Sequence, residues 1–207
     1  HLALWFYQIN MILMLMNPRK NRLFISFKFF LLLFFTKSFL MAQIESQDYK
    51  IIQSFNDVEI RLYSPVMLAK YSSKNSGSGF GKLFRYISGN NDQNIKIAMT
   101  TPVHMERGEI SSMAFVLPKK FSKNNAPLPI DKSLNVFEKE SGYFAAIRYS
   151  GYTNSEKELN YISKLKDKLI QNKVEISGEP TVLVYNSPYK VFNRRNEIII
   201  PINFSKK

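Results

Sequence analysis

His104 is the one histidine in the body of the chain, the other being His1, and there is no cysteine. Without Cys there is no disulfide framework, zinc ribbon, iron–sulfur cluster or cysteine nucleophile. With one usable His, a His-rich metal centre is excluded, and a Ser–His–Asp arrangement has no spare candidates. His104 lies in Pro102-Val103-His104-Met105-Glu106. Strand alternation puts it on one face with Pro102, and Val103 and Met105 on the other. It reads first as a surface or hydrogen-bonding residue and only second as a metal ligand. Met99-Thr100-Thr101-Pro102 offers hydroxyls, but no acid is visible to orient His104 as their base. The structural reading is a strand end whose hydroxyls satisfy backbone groups. Arg194-Arg195-Asn196-Glu197 reads as a turn with an Arg–Glu pair across strands, the alternative being a grip on an anionic ligand. No triad, carboxylate pair or metal-ligand spacing stands out, so catalysis is not expected.

The other candidate chemistry is apolar. Phe80, Leu83, Phe84 and Ile87 recur at i, i+3, i+4 and i+7, one face of a helix closed by Gly89. Lys82, Arg85 and Tyr86 accompany them. Such a stripe at helical spacing is the pattern of core residues packed on a sheet.

The elements that position these residues alternate in type. Tyr49–Phe55 and Val58–Tyr63 read as strands across a turn at Asn56-Asp57, and Val66–Tyr71 as a third after Pro65. Residues 75–79 (NSGSG) form a flexible loop before the helix. Ile95–Thr101 and Ser112–Leu117 are further strand-like runs, and Ala126–Ile130 is a Pro-rich connector. In the second half Tyr143–Tyr149 is a strand. A helix follows, capped by Thr153 or Ser155, with Leu159, Ile162, Leu165 and Leu169 on its buried face. Thr181–Tyr185 and Glu197–Phe204 close the chain as strands. Each half therefore runs strand, helix, strand, strand. This predicts an α+β fold: a duplicated βαββ unit forming an antiparallel sheet or open barrel with two helices on it. A groove between helices and curved sheet is the expected ligand site.

The first 42 residues read differently. They carry Arg19, Lys20, Arg22, Lys28 and Lys37 and no acid. A basic stretch, the apolar run Phe29–Phe35 and the small residue Ala42 follow in the order of an export signal. Cleavage is expected after Ala42, which makes 43–207 the mature domain of an exported, periplasmic or secreted protein. The alternative is an uncleaved membrane anchor over Leu23–Met41, interrupted by Lys28 and Lys37. Met11, Met14 and Met16 are candidate starts, and a start at Met16 would make 1–15 an upstream extension. The whole chain has 29 basic and 16 acidic residues, net +13. Setting aside the five cations of 1–42 leaves 24 against 16, or +8. Those charges are spread out and no nucleic-acid module is recognisable, so no nucleic-acid partner is expected.

Several segments, in order, resemble one family. They are residues 79–91 (GFGKLFRYISGNN), 96–103 (KIAMTTPV), 113–118 (MAFVLP), the SGY at 150–152 and 185–202 (YNSPYKVFNRRNEIIIPI). Over about residues 48–204 the chain resembles the SOUL haem-binding protein family, and it is also similar to effector-binding domains of the gyrase-inhibitor-like class. The resemblance implies a distorted antiparallel barrel of two βαββ repeats. It further implies reversible binding of haem and related tetrapyrroles in a hydrophobic groove by the first helix. The residues then expected at the ligand are Phe80, Leu83, Phe84, Arg85, Ile87 and Met99. His104 is a weak candidate for the iron, with Tyr86, Met99 and Met105 as others. The implied role is carrier, buffer or sensor. The alternatives are a module for another hydrophobic anionic ligand, or a tetrapyrrole-modifying or hydrolytic enzyme.

Overall fold

The computed structural model describes residues 44–74 and 79–204. Residues 1–42, where an export signal or anchor is expected, and most of the glycine-rich loop before the first helix, lie outside them.

The chain order is β1 (Tyr49–Phe55), β2 (Val58–Tyr63), β3 (Val66–Ser73), α1 (Phe80–Ile87), β4 (Val103–Glu106), β5 (Ser111–Val116), β6 (Leu134–Lys139) and β7 (Gly142–Tyr149). Then come α2 (Ser155–Gln171), β8 (Glu175–Ile176), β9 (Thr181–Val184) and β10 (Asn196–Asn203). The strands form one antiparallel sheet in the order β1-β2-β7-β10-β9-β4-β5-β3-β6, with β8 pairing β10 beyond β9. Outward from the β9–β4 pairing the two halves mirror each other: β9-β10-β7-β2 on one side, β4-β5-β3-β6 on the other. This is the duplicated βαββ plan with one addition. The strand leading into each repeat pairs into the other repeat, β2 with β7 and β6 with β3.

That exchange forces the sheet to curl. β2 and β3 are joined by Ser64-Pro65 alone, and β6 and β7 by Glu140-Ser141 alone. A two-residue link reaches about 10 Å. Strands six places apart in a flat sheet would be ~29 Å apart. The sheet therefore bends into an open barrel, and Ser141 Oγ donates to Tyr63 O (2.9 Å) where the links meet.

The helices cover the outer face. Leu83, Tyr86 and Ile87 of α1 pack with Met67, Ala69 and Phe115, while Leu165 and Leu169 of α2 pack with Val58, Ile147 and Ile198. α1 ends as expected: Gly89 takes φ +119 and Asn90 N–H donates to Arg85 O (3.0 Å). α2 departs from expectation in two ways. Its cap is Asn154, whose side chain accepts from Lys157 N–H (2.9 Å). Thr153 instead bonds Tyr149 and Glu158. Its buried face begins at Glu158, not Leu159, which is 66% exposed. Glu158 is tolerated inside because Arg107 donates to both its oxygens at 3.0 and 3.3 Å.

Ile95–Thr101 is extended but not a ladder strand, because its backbone groups are used elsewhere. Asn91 Nδ2 donates to Tyr86 O and Ile95 O, Ile97 N–H to Ile87 O, and Thr101 bridges to Ser46. Thr100 Oγ1 donates to Val116 O (2.6 Å), the backbone-satisfying role expected of it. β6 was not foreseen from the sequence; its Leu-Asn-Val-Phe-Glu-Lys pattern is strand-like only once β3 lies beside it.

Candidate functional site

Where the repeats meet, Val103 at the start of β4 pairs with Val184 at the end of β9. Both line a groove of about 360 Å³. One wall is the outer side of α1. There Phe80 and Phe84 stack with centroids 5.9 Å apart and planes at 12°, and Phe80 meets Phe115 edge-on. They are 44% and 52% exposed, unusual for stacked phenylalanines. Met99, Thr100 and Thr101 form the floor beside them, and Ile44 adds an aliphatic edge. The far wall is the start of the β9–β10 loop, Tyr185 to Tyr189. No Asp, Glu, His, Lys or Arg is among these lining residues. A wider hollow of about 490 Å³ at the end of α2 has a mixed amide, lysine and apolar lining.

The expected ligand residues divide. Phe80, Phe84 and Met99 line the groove. Leu83 and Ile87 do not: they are 0% and 6% exposed and belong to the core under α1. The reason is helical phase. Positions 80 and 84 lean to one side of the stripe, 83 and 87 to the other, and only the second side faces the sheet. Arg85 is exposed, about 100° round the helix from Phe84, and is absent from the lining. Tyr86 is buried, with its hydroxyl donating to Pro127 O (2.8 Å). No residue of α2 lines the groove, which lies by the first helix alone.

His104 points away from the groove, as strand alternation requires with Val103 lining it. It is 5% exposed, and its Nε2 lies 2.8 Å from the acceptor Gln47 Oε1, which selects the Nε2–H tautomer. Burial, assisted by the charges of Lys139 and Lys70 and opposed by Glu106, holds its pKa down at about 3. A neutral, enclosed imidazole facing the other side of the sheet is not placed to meet a ligand in the groove.

The far wall rests on a buried ionic network. Tyr185 hydroxyl donates to Glu197 Oε2 (3.0 Å). Burial, and then the negative charge of Glu197, push this phenol's pKa upward. Glu197 is fully buried yet held ionised. Burial opposes its charge, but Arg61 (2.6 Å) and Arg195 (2.8 Å) outweigh that, and its pKa lies below the usual carboxylate range. Arg195 also stacks on Tyr185 at 3.9 Å. The Arg-Arg-Asn-Glu run is thus an internal scaffold under the loop. Ile44, Thr100, Thr101, Val103, Val184 and Tyr185–Tyr189 line the groove without having been expected there from the sequence. Their one local signal was Asn186-Ser187-Pro188, a turn cluster bracketed by tyrosines.

The family profile described as SOUL heme-binding protein matches residues 44–201. Heme-binding protein 1 of Sus scrofa is 27% identical over 132 residues, covering 56% of this chain and 66% of the pig protein, just under two thirds of its length. Heme-binding protein 2 of Homo sapiens is 26% identical over 160 residues, covering 68% and 75%. Two solved structures share the fold. The EcmrR C-terminal domain has a TM-score of 0.53 at 12% identity, covering 75% of this chain and 98% of that one. A hydrolase from Listeria innocua has 0.52 at 8%, covering 73% and 94%. Identities that low speak to architecture alone. The family profile spans both repeats, α1 and the groove, and the chain belongs to the SOUL haem-binding protein family.

Proposed function

We propose that this groove takes up haem or a related tetrapyrrole reversibly and without catalysis, so that the protein acts as a carrier, buffer or sensor. The observation that carries the reading is the groove's lining: an exposed phenylalanine stack, Met99 and two valines opposite Tyr185 and Tyr189, free of acids and bases. A porphyrin has two wide apolar faces, and stacked rings left in water are a matching surface. The names of the family and of its curated relatives support the same ligand class. Among the lining residues only the Met99 thioether and tyrosine hydroxyls could reach an iron, and the Tyr185 hydroxyl is engaged with Glu197. Affinity then comes from contact. Burying ~300 Å² of apolar surface is worth about 7 kcal/mol before the cost of association.

Titration with hemin and with iron-free protoporphyrin, followed at the Soret band, tests this. Both should bind saturably, with Kd values within about threefold of each other, since contact with the ring sets affinity. Phe80→Ala with Phe84→Ala should weaken both about tenfold or more, and His104→Ala should leave the bound spectrum unchanged. No saturable change with either ligand would sink the reading.

We further propose that residues 1–42 direct export and are removed after Ala42. The order of basic, apolar and small residues supports this. Intact mass of the exported protein should place Gln43 at the N-terminus; full-length chain in the membrane fraction would favour the anchor.

A further inference from the structure

β9 and β10 are antiparallel neighbours, yet residues 185–195 connect them. Hairpin connections usually take 2–5 residues. This one is long, and it is firmly tied at its neck. Arg194, itself buried, donates through Nη1 to Ser187 O (2.8 Å) and Lys190 O (2.7 Å), and lies over the Tyr152 ring at 4.3 Å. Tyr152 hydroxyl donates to Pro188 O (3.2 Å), and Arg195 N–H to Asn186 Oδ1 (2.6 Å).

What this neck holds up is an apolar tip. Tyr189 is 91% exposed, Val191 59% and Phe192 81%. Three large apolar side chains within four residues are presented to water on a braced loop. Single exposed hydrophobic residues are ordinary, but a built, projecting cluster marks a contact surface. The charge around it names the partner. Lys190 stands exposed between Tyr189 and Val191 in a loop, residues 185–195, that contains no acid, whereas Arg194 is buried in the neck and Arg195 is paired with Glu197. Aromatic and aliphatic side chains flanking an exposed lysine, with no carboxylate in the loop, match the interface of an anionic bilayer. A protein partner of comparable fit would need an acidic residue beside an aromatic pocket, and tip-to-tip pairing of two copies would set Lys190 against Lys190 with no acid in either loop to answer it.

We propose that the β9–β10 loop docks on an anionic lipid surface by inserting Tyr189, Val191 and Phe192. Pro188 and Tyr189 also line the groove, so docking sets the groove's mouth against the bilayer. There an apolar ligand can pass between lipid and protein without crossing water. That last role rests on the tetrapyrrole reading; the docking does not.

Because the chain has no cysteine, Phe192→Cys gives a unique site for an environment-sensitive nitrobenzoxadiazole label in the full chain. A second label at Gln171→Cys reports from the far end of α2, about 24 Å of helix away from the Tyr152 side. Vesicles of phosphatidylcholine with phosphatidylglycerol should raise emission at 192 severalfold, and nitroxide-bearing lipids should quench it. Neutral vesicles should act weakly, and the label at 171 should not respond. Adding Val191→Ser should weaken the vesicle response about tenfold, and Lys190→Glu should remove the preference for anionic lipid. No response at 192, or equal responses at 192 and 171, would overturn the proposal. So would a rise with protein concentration in the absence of lipid, which would make the tip a contact between copies. Hemin titration of Val191→Ser/Phe192→Ser without lipid separates the two readings. Unchanged hemin binding with lost vesicle binding is expected; failure of hemin to bind either protein would sink the ligand and leave the docking result standing.

Discussion

His104 is neutral in the fold because burial removes water from its ring and Lys139 adds a repulsive charge. Its folded pKa of about 3 lies below the ordinary 6.5. Between those values the unfolded chain binds a proton that the fold refuses, so the contribution to stability is fully present above pH 6.5. It is lost as pH falls toward about 3, with a slope of up to about 1.4 kcal/mol per pH unit. Urea midpoints measured from neutral pH down through this window should fall for the wild type and fall less steeply for His104→Gln. Equal slopes would mean that His104 is not the group responsible. The sequence identified His104 as a lone imidazole on the strand face opposite Val103. It did not reveal burial, because Gln47, which encloses and bonds it, comes from 57 residues away. Glu197 is similar: an Arg–Glu pairing was readable beside it, but its strongest partner, Arg61, is 136 residues distant.

α1 shows how far a helical stripe can be read. Periodicity placed Phe80, Leu83, Phe84 and Ile87 on one face, and the structure divides that face between core and groove. The two halves should respond differently to substitution. Leu83→Ala should cost about 2–5 kcal/mol of unfolding free energy, because it opens a cavity among Met67, Ala69 and Phe115. Phe84→Ser should cost less than about 1 kcal/mol, since that ring is half exposed. Denaturant unfolding checks both; a large loss for Phe84→Ser would return that ring to the core. α2 gives the same lesson in reverse. Leu165 and Leu169 were legible as its buried face, but a buried Glu158 beside an exposed Leu159 depends on Arg107 arriving from the end of β4. Short elements were the least legible. β6 and β8 are defined by the strands they pair with, and Ile95–Thr101, strand-like in composition, is kept out of the ladder by the Asn91 clamp.

At the scale of the molecule, the repeats are not independent bodies. β2 belongs to the sheet half of β7, and β6 to that of β3, so each half completes the other's edge. The chain should therefore unfold in one cooperative transition, with secondary-structure and aromatic signals coinciding in denaturant; separated transitions would show that the halves stand alone. What the sequence by itself determined was local or repeated: the order of strands and helices, the duplication, the apolar stripe of α1, and a chemistry without Cys and with one His. These follow from side-chain periodicity and composition, which need no partner. The tertiary structure decided which side of each element meets water. It brought Met99, Val103, Val184 and the β9–β10 loop to the outer side of α1, turned His104 inward, and held Tyr189 and Phe192 outward on the Arg194 neck. Those outcomes depend on contacts between residues tens of positions apart, and pairing across the curled sheet is what creates them.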